Sequence, residues 1–161
     1  MNTFLSKLRE EHQHALKELA ALNNTAEAIR EHGYSDDAIA RMRKAVAFIN
    51  SDVRKHNERE EEYLFPEMER VMPASGPTGV MRSEHRALWE ALTSLEKELP
   101  CVHPGADDAA LRSICAYAFA VAELLTNHIS KEDNILFPMA ERALPPAQLE
   151  ELENVMKKLF P

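Results

Sequence analysis

Apolar residues recur at alternating steps of three and four along most of the chain, which places them on one face of an α-helix. In the first segment these residues are Leu5, Leu8, Ala15, Leu19, Leu22, Ala26 and Ile29. The stripe predicts a first helix over about residues 3–31. Gly33 is suited to end this helix, and Ser35 is suited to cap a second helix, predicted over about 36–72.

Two loops rich in helix-breaking residues separate the remaining elements. The first loop, 72–79, contains two prolines and two glycines, and the second runs from Pro100 to about Ala106. A third apolar stripe lies between these loops, and a fourth follows the second loop and ends at Pro138. The chain is therefore predicted to be all-α, with an up-down antiparallel four-helix bundle over about 3–143.

A short amphipathic helix is predicted after the second proline of the Pro145-Pro146 pair, over about 146–160. Its apolar positions are Leu149, Leu152, Val155, Met156 and Leu159. Packing against the end of the bundle or against a second copy of the chain would bury this stripe, and we favour packing against the bundle. Because no change of composition marks a boundary, residues 1–161 are expected to form one domain.

An internal repeat relates the second helix to the fourth at an offset of 72 residues. The segment that starts at His56 reads HNEREEEYLFP, and the segment that starts at His128 reads HISKEDNILFP. Histidine, glutamate, leucine, phenylalanine and proline coincide in this register. The pairs Glu11-His12 and Glu84-His85 repeat at an offset of 73 on the first and third helices. The bundle is thus predicted to contain two helical hairpins with pseudo-twofold symmetry.

Six polar residues continue the apolar stripes of the four helices and are therefore expected to point inward. They are His12, His56, Glu60, His85, His128 and Glu132. Residues four apart on a helix lie on the same face, so each histidine–glutamate pair could bind one metal ion. Burial of ionisable groups costs several kcal/mol unless they are paired or bind metal. A pair of cations in the bundle core would supply that compensation.

The ligand set narrows the choice of metal. Imidazole and carboxylate without thiolate suit iron, manganese or zinc, and carboxylate-rich sites in four-helix bundles hold pairs of iron or manganese ions. A lone inward histidine is most often a core residue that is hydrogen-bonded. The shared register of six residues favours a metal site over a metal-free structural bundle.

The two H-x3-E-x3-LFP segments, with a Glu-His pair early in helices one and three, resemble the hemerythrin-like family, which carries the HHE cation-binding domain. The resemblance covers residues from about 5 to 140. It implies two iron ions, for which Mn or Zn are possible substitutes, joined by an oxo or hydroxo bridge. His12 and His56 would bind one iron and His85 and His128 the other, with Glu60 and Glu132 as bridges.

This chain departs from the oxygen carriers of the family at one position. Those proteins place a further histidine on the third helix, four residues from the first, but here the position four after His85 is Trp89 and the position four before it is Met81. It therefore looks like the divergent bacterial-type branch, with four histidine and two glutamate ligands. Water or Glu61 is expected to complete the coordination. His14 is expected at the surface or behind the ligands.

The resemblance implies a binding protein or sensor for O2, NO or peroxide. Two alternatives share the same centre: an enzyme that reduces one of these molecules, with a redox partner, and a protein that handles iron or repairs iron centres. No catalytic residue is assigned. The oligomeric state is left open between monomer and homodimer.

Composition excludes several other classes. The formal net charge is −8 and no basic run forms a patch, which argues against nucleic-acid binding. The N-terminal residues contain no apolar signal segment, and the longest low-charge stretch, 116–122, is too short to cross a bilayer. We expect a cytoplasmic protein without membrane contact, in which Cys101 and Cys115 are reduced thiols.

Overall fold

The computed structural model describes residues 1–161 and contains five helices and no strand. They are α1 (Thr3–His32), α2 (36–69), α3 (Pro77–Glu98), α4 (Asp108–Ala143) and α5 (Pro146–Leu159). Helix α4 packs against α1 and α3, and α1 also packs against α2. The predicted all-α bundle is confirmed, whereas the division into one domain over 1–161 stays a prediction.

Local sequence signals set the ends of these helices. The side chains of Asn2, Ser35 and Asp107 each accept a hydrogen bond from a backbone N–H in the first turn of α1, α2 and α4. Gly33 ends α1 with a φ of 80°, and its N–H donates to the carbonyl of Ile29. A positive φ of this size is readily reached only by glycine.

The two LFP segments lie inside helices and do not end them. Wide π-helical turns at Glu60–Leu64 and Glu132–Leu136 precede each Phe-Pro pair, and helix α4 continues to Ala143. The predicted end of α4 at Pro138 is therefore wrong. A proline ring in an α-helix clashes with the carbonyl four residues earlier, and the wider preceding turn makes room for it. Helix α2 ends at Glu69, slightly before the predicted residue 72.

The apolar interior consists of two clusters separated by a polar layer. The larger cluster contains 23 buried residues and the smaller contains 12. On α1, Leu8 belongs to the smaller cluster and Ala15 to the larger, while the buried His12 lies between them. The order is reversed along α4, where Leu125 of the larger cluster precedes His128 and Glu132 and Leu136 of the smaller cluster follows them. The polar layer therefore crosses the bundle between two apolar regions.

Helix α5 packs on the smaller cluster at one end of the bundle. Its Leu152 is part of that cluster, and Leu149, Val155 and Met156 pack against it. The side chain of Asn2 donates a hydrogen bond of 2.8 Å to the carbonyl of Leu149. The preferred prediction, that α5 caps the bundle, is confirmed by these contacts.

Helix α4 is long and apolar enough to cross a membrane, because an 18-residue window in it has a mean hydropathy of 1.4. The sequence-based estimate was too short because it stopped at residue 122, although Glu123 is the only Asp, Glu, Lys or Arg in the eight positions that follow. A core helix of a bundle meets the same criterion. The packing of α4 against α1 and α3, with His128 and Glu132 buried between the helices, accounts for its composition.

Replacement of Phe137 by alanine is expected to lower the free energy of unfolding by about 3–5 kcal/mol. This side chain is fully buried in the smaller cluster and stacks on the His12 ring, with centroids 5.5 Å apart and planes at 8°. Chemical denaturation of the metal-free protein measures the change. Phe160→Ala is the control, because Phe160 is 38% exposed, and its loss is expected to cost less than about 1 kcal/mol. Equal losses in the two variants would contradict the assignment of Phe137 to the core.

Candidate metal centre

The structure brings all six predicted site residues together in the polar layer, and each of them is buried. Their ligand atoms form two groups of four in which all atoms lie within 4.8 Å of one another. One group contains His12 and His56, the other contains His85 and His128, and both contain Glu60 and Glu132. The arrangement therefore has two halves that share two carboxylates.

Each half is built around a pair of imidazole rings from neighbouring helices. The Nε2 atoms of His12 and His56 are 3.1 Å apart, and so are the Nε2 atoms of His85 and His128. Two nitrogen ligands at about 2.1 Å from one metal ion and at right angles would be separated by about 3.0 Å. The observed spacing fits two ligands of a common ion.

The two glutamates each reach both halves. The carboxylate oxygens of Glu60 lie 3.1 Å from the Nε2 atom of His56 and 3.3 Å from that of His85. Those of Glu132 lie 3.0 Å from the Nε2 atom of His12 and 2.8 Å from that of His128. Each carboxylate thus directs one oxygen to each histidine pair, which is the geometry of a bridge between two ions.

These short distances are not ordinary hydrogen bonds. All four carboxylate oxygens of Glu60 and Glu132 are buried, and none has a hydrogen-bond partner with acceptable geometry. Buried polar atoms without partners are costly and uncommon in folded proteins. The oxygens and the imidazole nitrogens converge on shared points instead of pointing at one another. This donor set fits two divalent or trivalent cations.

The outer nitrogen of each imidazole faces a carboxylate, and we call these four the outer carboxylates. Three of the distances from Nδ1 are 2.7–2.8 Å, and the fourth is 3.8 Å. The pairs are His12 with Asp133, His56 with Glu11, His85 with Glu61, and His128 with Glu84. A carboxylate that accepts the Nδ1–H leaves Nε2 unprotonated, as metal binding requires.

Every outer carboxylate is next in sequence to one of the six inner residues but contacts a histidine on a different helix. Glu11 precedes His12 on α1 and contacts His56 on α2, and Asp133 follows Glu132 on α4 and contacts His12 on α1. Glu61 and Glu84 repeat the pattern between α2 and α3 and between α3 and α4. The outer carboxylates thereby connect the four helices in a ring.

Charge coupling sets the ionisation of the metal-free cluster. Burial acts to lower the pKa of His56, but the carboxylates of Glu60, Glu11 and Glu132 outweigh it and raise this pKa well above its usual value. The pKa values of His12 and His85 are raised in the same way. Burial acts to raise the pKa of Glu132, but His128, His12 and His56 lower it well below its usual value. Metal ions would therefore bind by displacing protons from the imidazoles.

Two residues considered as further ligands lie elsewhere. The Glu61 carboxylate contacts the outer nitrogen of His85, away from the Nε2 atoms, so it supports a histidine and does not complete the coordination. His14 is exposed. Trp89 occupies the position of the additional histidine in oxygen carriers, and its ring lies 4.1 Å from the guanidinium carbon of Arg54.

Sequence reasoning missed Asp133 and assigned no role to Glu11 or Glu84. The signal was present, since an acidic residue adjoins each of four inner residues. An adjacent position on a helix is rotated by about 100°, so such a residue points to the side of the helix and meets the neighbouring helix. The pattern becomes informative only once the order of the helices around the bundle is known.

A cavity of about 240 Å³ reaches the cluster from the side of α1 and α2. Its lining includes the exposed residues His14, Asp52 and Lys55 and, at the cluster, His12 and His56 together with His128 and Glu132 of α4. A single water molecule needs about 15 Å³ on the same measure. The cavity is therefore large enough for several small molecules and gives the cluster a route to solvent beside His12, His56 and His128.

Comparison with known families agrees with this geometry. The sequence profile of the hemerythrin HHE cation binding domain matches residues 3–140. The chain belongs to the hemerythrin family. Family membership and the buried histidine–glutamate cluster together support a metal site, with iron as the metal.

Curated relatives of this hemerythrin-family chain carry the name iron-sulfur cluster repair protein YtfE. Those of Yersinia pestis (strain Pestoides F) and Yersinia pseudotuberculosis serotype IB (strain PB1/+) are each 30% identical to it over 143 residues. The alignment covers 86% of this chain and 63% of each relative, so the chain spans somewhat less than two thirds of their length. No solved structure shows a significant match.

Neutralisation of an outer carboxylate is expected to weaken metal binding by about 10- to 100-fold. In this hemerythrin-family chain the variant Asp133→Asn keeps the shape of the side chain but loses the charge that faces the Nδ1 atom of His12. Competition with a chromogenic chelator measures the affinity for Fe(II). The matched control is Asn134→Asp, which changes the neighbouring exposed residue in the opposite sense. Wild-type affinity in Asp133→Asn would contradict a role for the outer carboxylates.

Proposed function

We propose that the chain binds two iron ions in the polar layer, and that this centre binds O2, NO or peroxide. His12 and His56 would hold one ion, His85 and His128 the other, and Glu60 and Glu132 would bridge them. The observation that carries the proposal is the sharing of both carboxylates between two histidine pairs. One ion would leave half of these buried ligand atoms without a partner.

The iron pair, when bound, supplies a redox-active Lewis acid that accepts a small ligand. The protein's own groups prepare the site for it. Three of the outer carboxylates accept hydrogen bonds from the Nδ1 atoms of His12, His56 and His85 and hold these imidazoles with Nε2 directed inward. Phe137 stacks on His12 and Phe65 stacks on His85, so the rings cannot turn freely. The two apolar clusters limit solvent around the layer to the side on which the cavity opens.

Four histidines, instead of the five of the oxygen carriers, support a role in which coordination positions remain for an exogenous ligand. The cavity beside His12 and His56 supports access for such a ligand from solvent. Both features fit a protein that reports ligand binding through the state of its iron.

Elemental analysis and ultraviolet-visible spectra test this proposal. We expect about two irons per chain and charge-transfer bands in air that change on reduction. NO added to the reduced protein without oxygen should produce a new spectrum that is reversed by purging. Protein that folds and holds no iron, even after reconstitution with Fe(II), would overturn the proposal.

A second function is favoured by the names of the relatives, which are described as iron-sulfur cluster repair proteins. In that case the chain would supply or accept iron, and the relatives' additional length would not be needed for metal binding itself. Transfer of labelled iron to an apo-ferredoxin, at a rate above that of free Fe(II) under chelation, would support this function. Retention of both ions in the same assay would favour ligand binding.

Both functions differ from that of an enzyme that reduces peroxide, O2 or NO with electrons from a redox partner. Steady-state consumption of hydrogen peroxide with a chemical reductant distinguishes them. Many turnovers per chain would indicate an enzyme, whereas a single stoichiometric reaction would indicate a binding protein or sensor.

A further inference from the structure

The side chain of Asn57 is polar, buried and without a partner in the protein. It is 3% exposed, and neither its Nδ2 nor its Oδ1 atom makes a hydrogen bond. It also lines the cavity that reaches His12 and His56. A buried amide without hydrogen bonds costs about 1–3 kcal/mol, so packing alone gives no reason for this residue type.

The internal repeat allows Asn57 to be compared with the equivalent residue of the second hairpin. Asn57 follows His56, and the equivalent residue after His128 is Ile129, which is apolar and buried and lines the same cavity. The corresponding position is thus filled without a polar group in the second hairpin. The core alone does not demand an asparagine after the histidine.

The two hairpins also differ at a second pair of equivalent positions. Ala15 lies three residues after His12 and Leu88 three residues after His85. Both belong to the larger apolar cluster, but only Ala15 also lines the cavity. The small side chain of Ala15 leaves space in the first hairpin that leucine occupies in the second. Space and an unpaired amide therefore occur together, on the same half of a cluster whose ligands are otherwise symmetric.

The mouth of this cavity carries both signs of charge. Lys55 and Arg59 contribute cations, and Asp52 and Glu11 contribute anions. Glu11 is already paired with Arg59 and with His56. With charges of both signs at the mouth, a small molecule that is neutral or singly negative meets no strong electrostatic barrier there.

We propose that the carboxamide of Asn57 binds the small ligand of the centre inside this cavity. Its Nδ2–H donates a hydrogen bond to an oxygen or nitrogen atom of the ligand. Where the ligand carries an O–H or N–H group, the Oδ1 atom accepts a hydrogen bond from it. This inference rests on the proposed function, because it assigns a binding residue to the same centre. It places the ligand beside His12 and His56, in a cavity that His128 of the other pair also lines.

Azide, a linear anion of three nitrogen atoms, is a suitable probe because its binding to oxidised iron-loaded protein can be followed by absorbance. Asn57→Leu keeps nearly the same shape and removes both hydrogen-bonding atoms. We expect azide to bind about 10- to 100-fold more weakly, as for loss of a hydrogen bond to a charged group. Asn127→Leu, at an exposed asparagine outside the cavity, is the matched control and should bind azide like the wild type.

Ala15→Leu tests the cavity independently of Asn57 because it copies the residue found in the second hairpin. We expect it to retain two irons per chain and to bind azide at least 10-fold more weakly. Ala20→Leu, at an exposed site on the same helix, is its control. Wild-type azide affinity in both Ala15→Leu and Asn57→Leu would overturn the inference.

Stability provides a readout that separates a binding residue from a structural one. Removal of an unpaired buried amide should leave the melting temperature of metal-free Asn57→Leu unchanged or raised, while azide affinity falls. A lower melting temperature together with unchanged azide affinity would make Asn57 structural and overturn the inference. Iron content separates failure of the proposed function from failure of this inference. Wild-type protein without iron overturns the proposed function, whereas iron-loaded variants with normal azide affinity overturn only the role of Asn57.

Discussion

The variant Glu132→Ala is expected to lose iron from both halves of the centre, so that its iron content falls from about two to well below one per chain. The reason is that Glu132 directs one oxygen to the His12 pair and the other to the His128 pair. Without it, each ion would lose a ligand and the negative charge between the ions. Elemental analysis after reconstitution with Fe(II) and gel filtration measures the effect.

Two comparisons make this result specific. Glu62→Ala removes an exposed carboxylate from the π-helical turn Glu60–Leu64, which is the counterpart of the turn that contains Glu132, and should keep both irons. His85→Ala removes a side chain from one pair only and should retain more iron than Glu132→Ala does. Helical circular dichroism shows whether each variant folds. Iron content near two in folded Glu132→Ala would contradict the bridging role.

The bundle could be predicted from sequence because its signal is repeated many times. Stripes such as Leu5, Leu8, Ala15 and Leu19 fix the inward face of α1 to within a residue, and all four residues are buried. Turn-forming residues then fixed the loops. The end of α4 was misjudged because a proline was read as a break, while a π-helical turn before Pro138 lets the helix continue.

The six inner residues could be predicted for the same reason, since they continue stripes that the core requires. The outer carboxylates could not, because Asp133 and His12 are 121 positions apart and belong to helices whose contact is a property of the packed bundle. Their sequence position beside the inner residues is visible, but their partners are not. A sequence predicts the helix face on which a residue lies more readily than the residue of another helix that it contacts.

The cavity lay beyond prediction for a different reason. It is lined by Ala15, where the second hairpin has the larger Leu88, and by both Asn57 and its counterpart Ile129. The repeat shows only what the two hairpins share. The matching positions identified the centre, and the positions that differ distinguish its two halves. A search for symmetry alone therefore locates the metal site but not its open side.

Removal of the metal is expected to lower the melting temperature by at least about 15 °C. Binding at a free concentration of 1,000 times the dissociation constant contributes about 4 kcal/mol per site, hence about 8 kcal/mol for two. In a chain of this size, each kcal/mol shifts the melting temperature by about 2–4 °C. The stabilisation arises because the ions neutralise Glu60 and Glu132, whose four carboxylate oxygens are buried and otherwise have no hydrogen-bond partner.

Calorimetry of the iron-loaded protein and of protein treated with a chelator measures the difference. Glu132→Ala serves as the control, because a variant that cannot hold the ions should melt at one temperature with or without Fe(II). The metal-free wild type should remain helical, since its two apolar clusters are intact without the ions and its raised histidine pKa values allow ion pairs with the glutamates. Identical melting temperatures for loaded and chelated wild type would show that the polar layer binds no metal strongly, whatever its geometry.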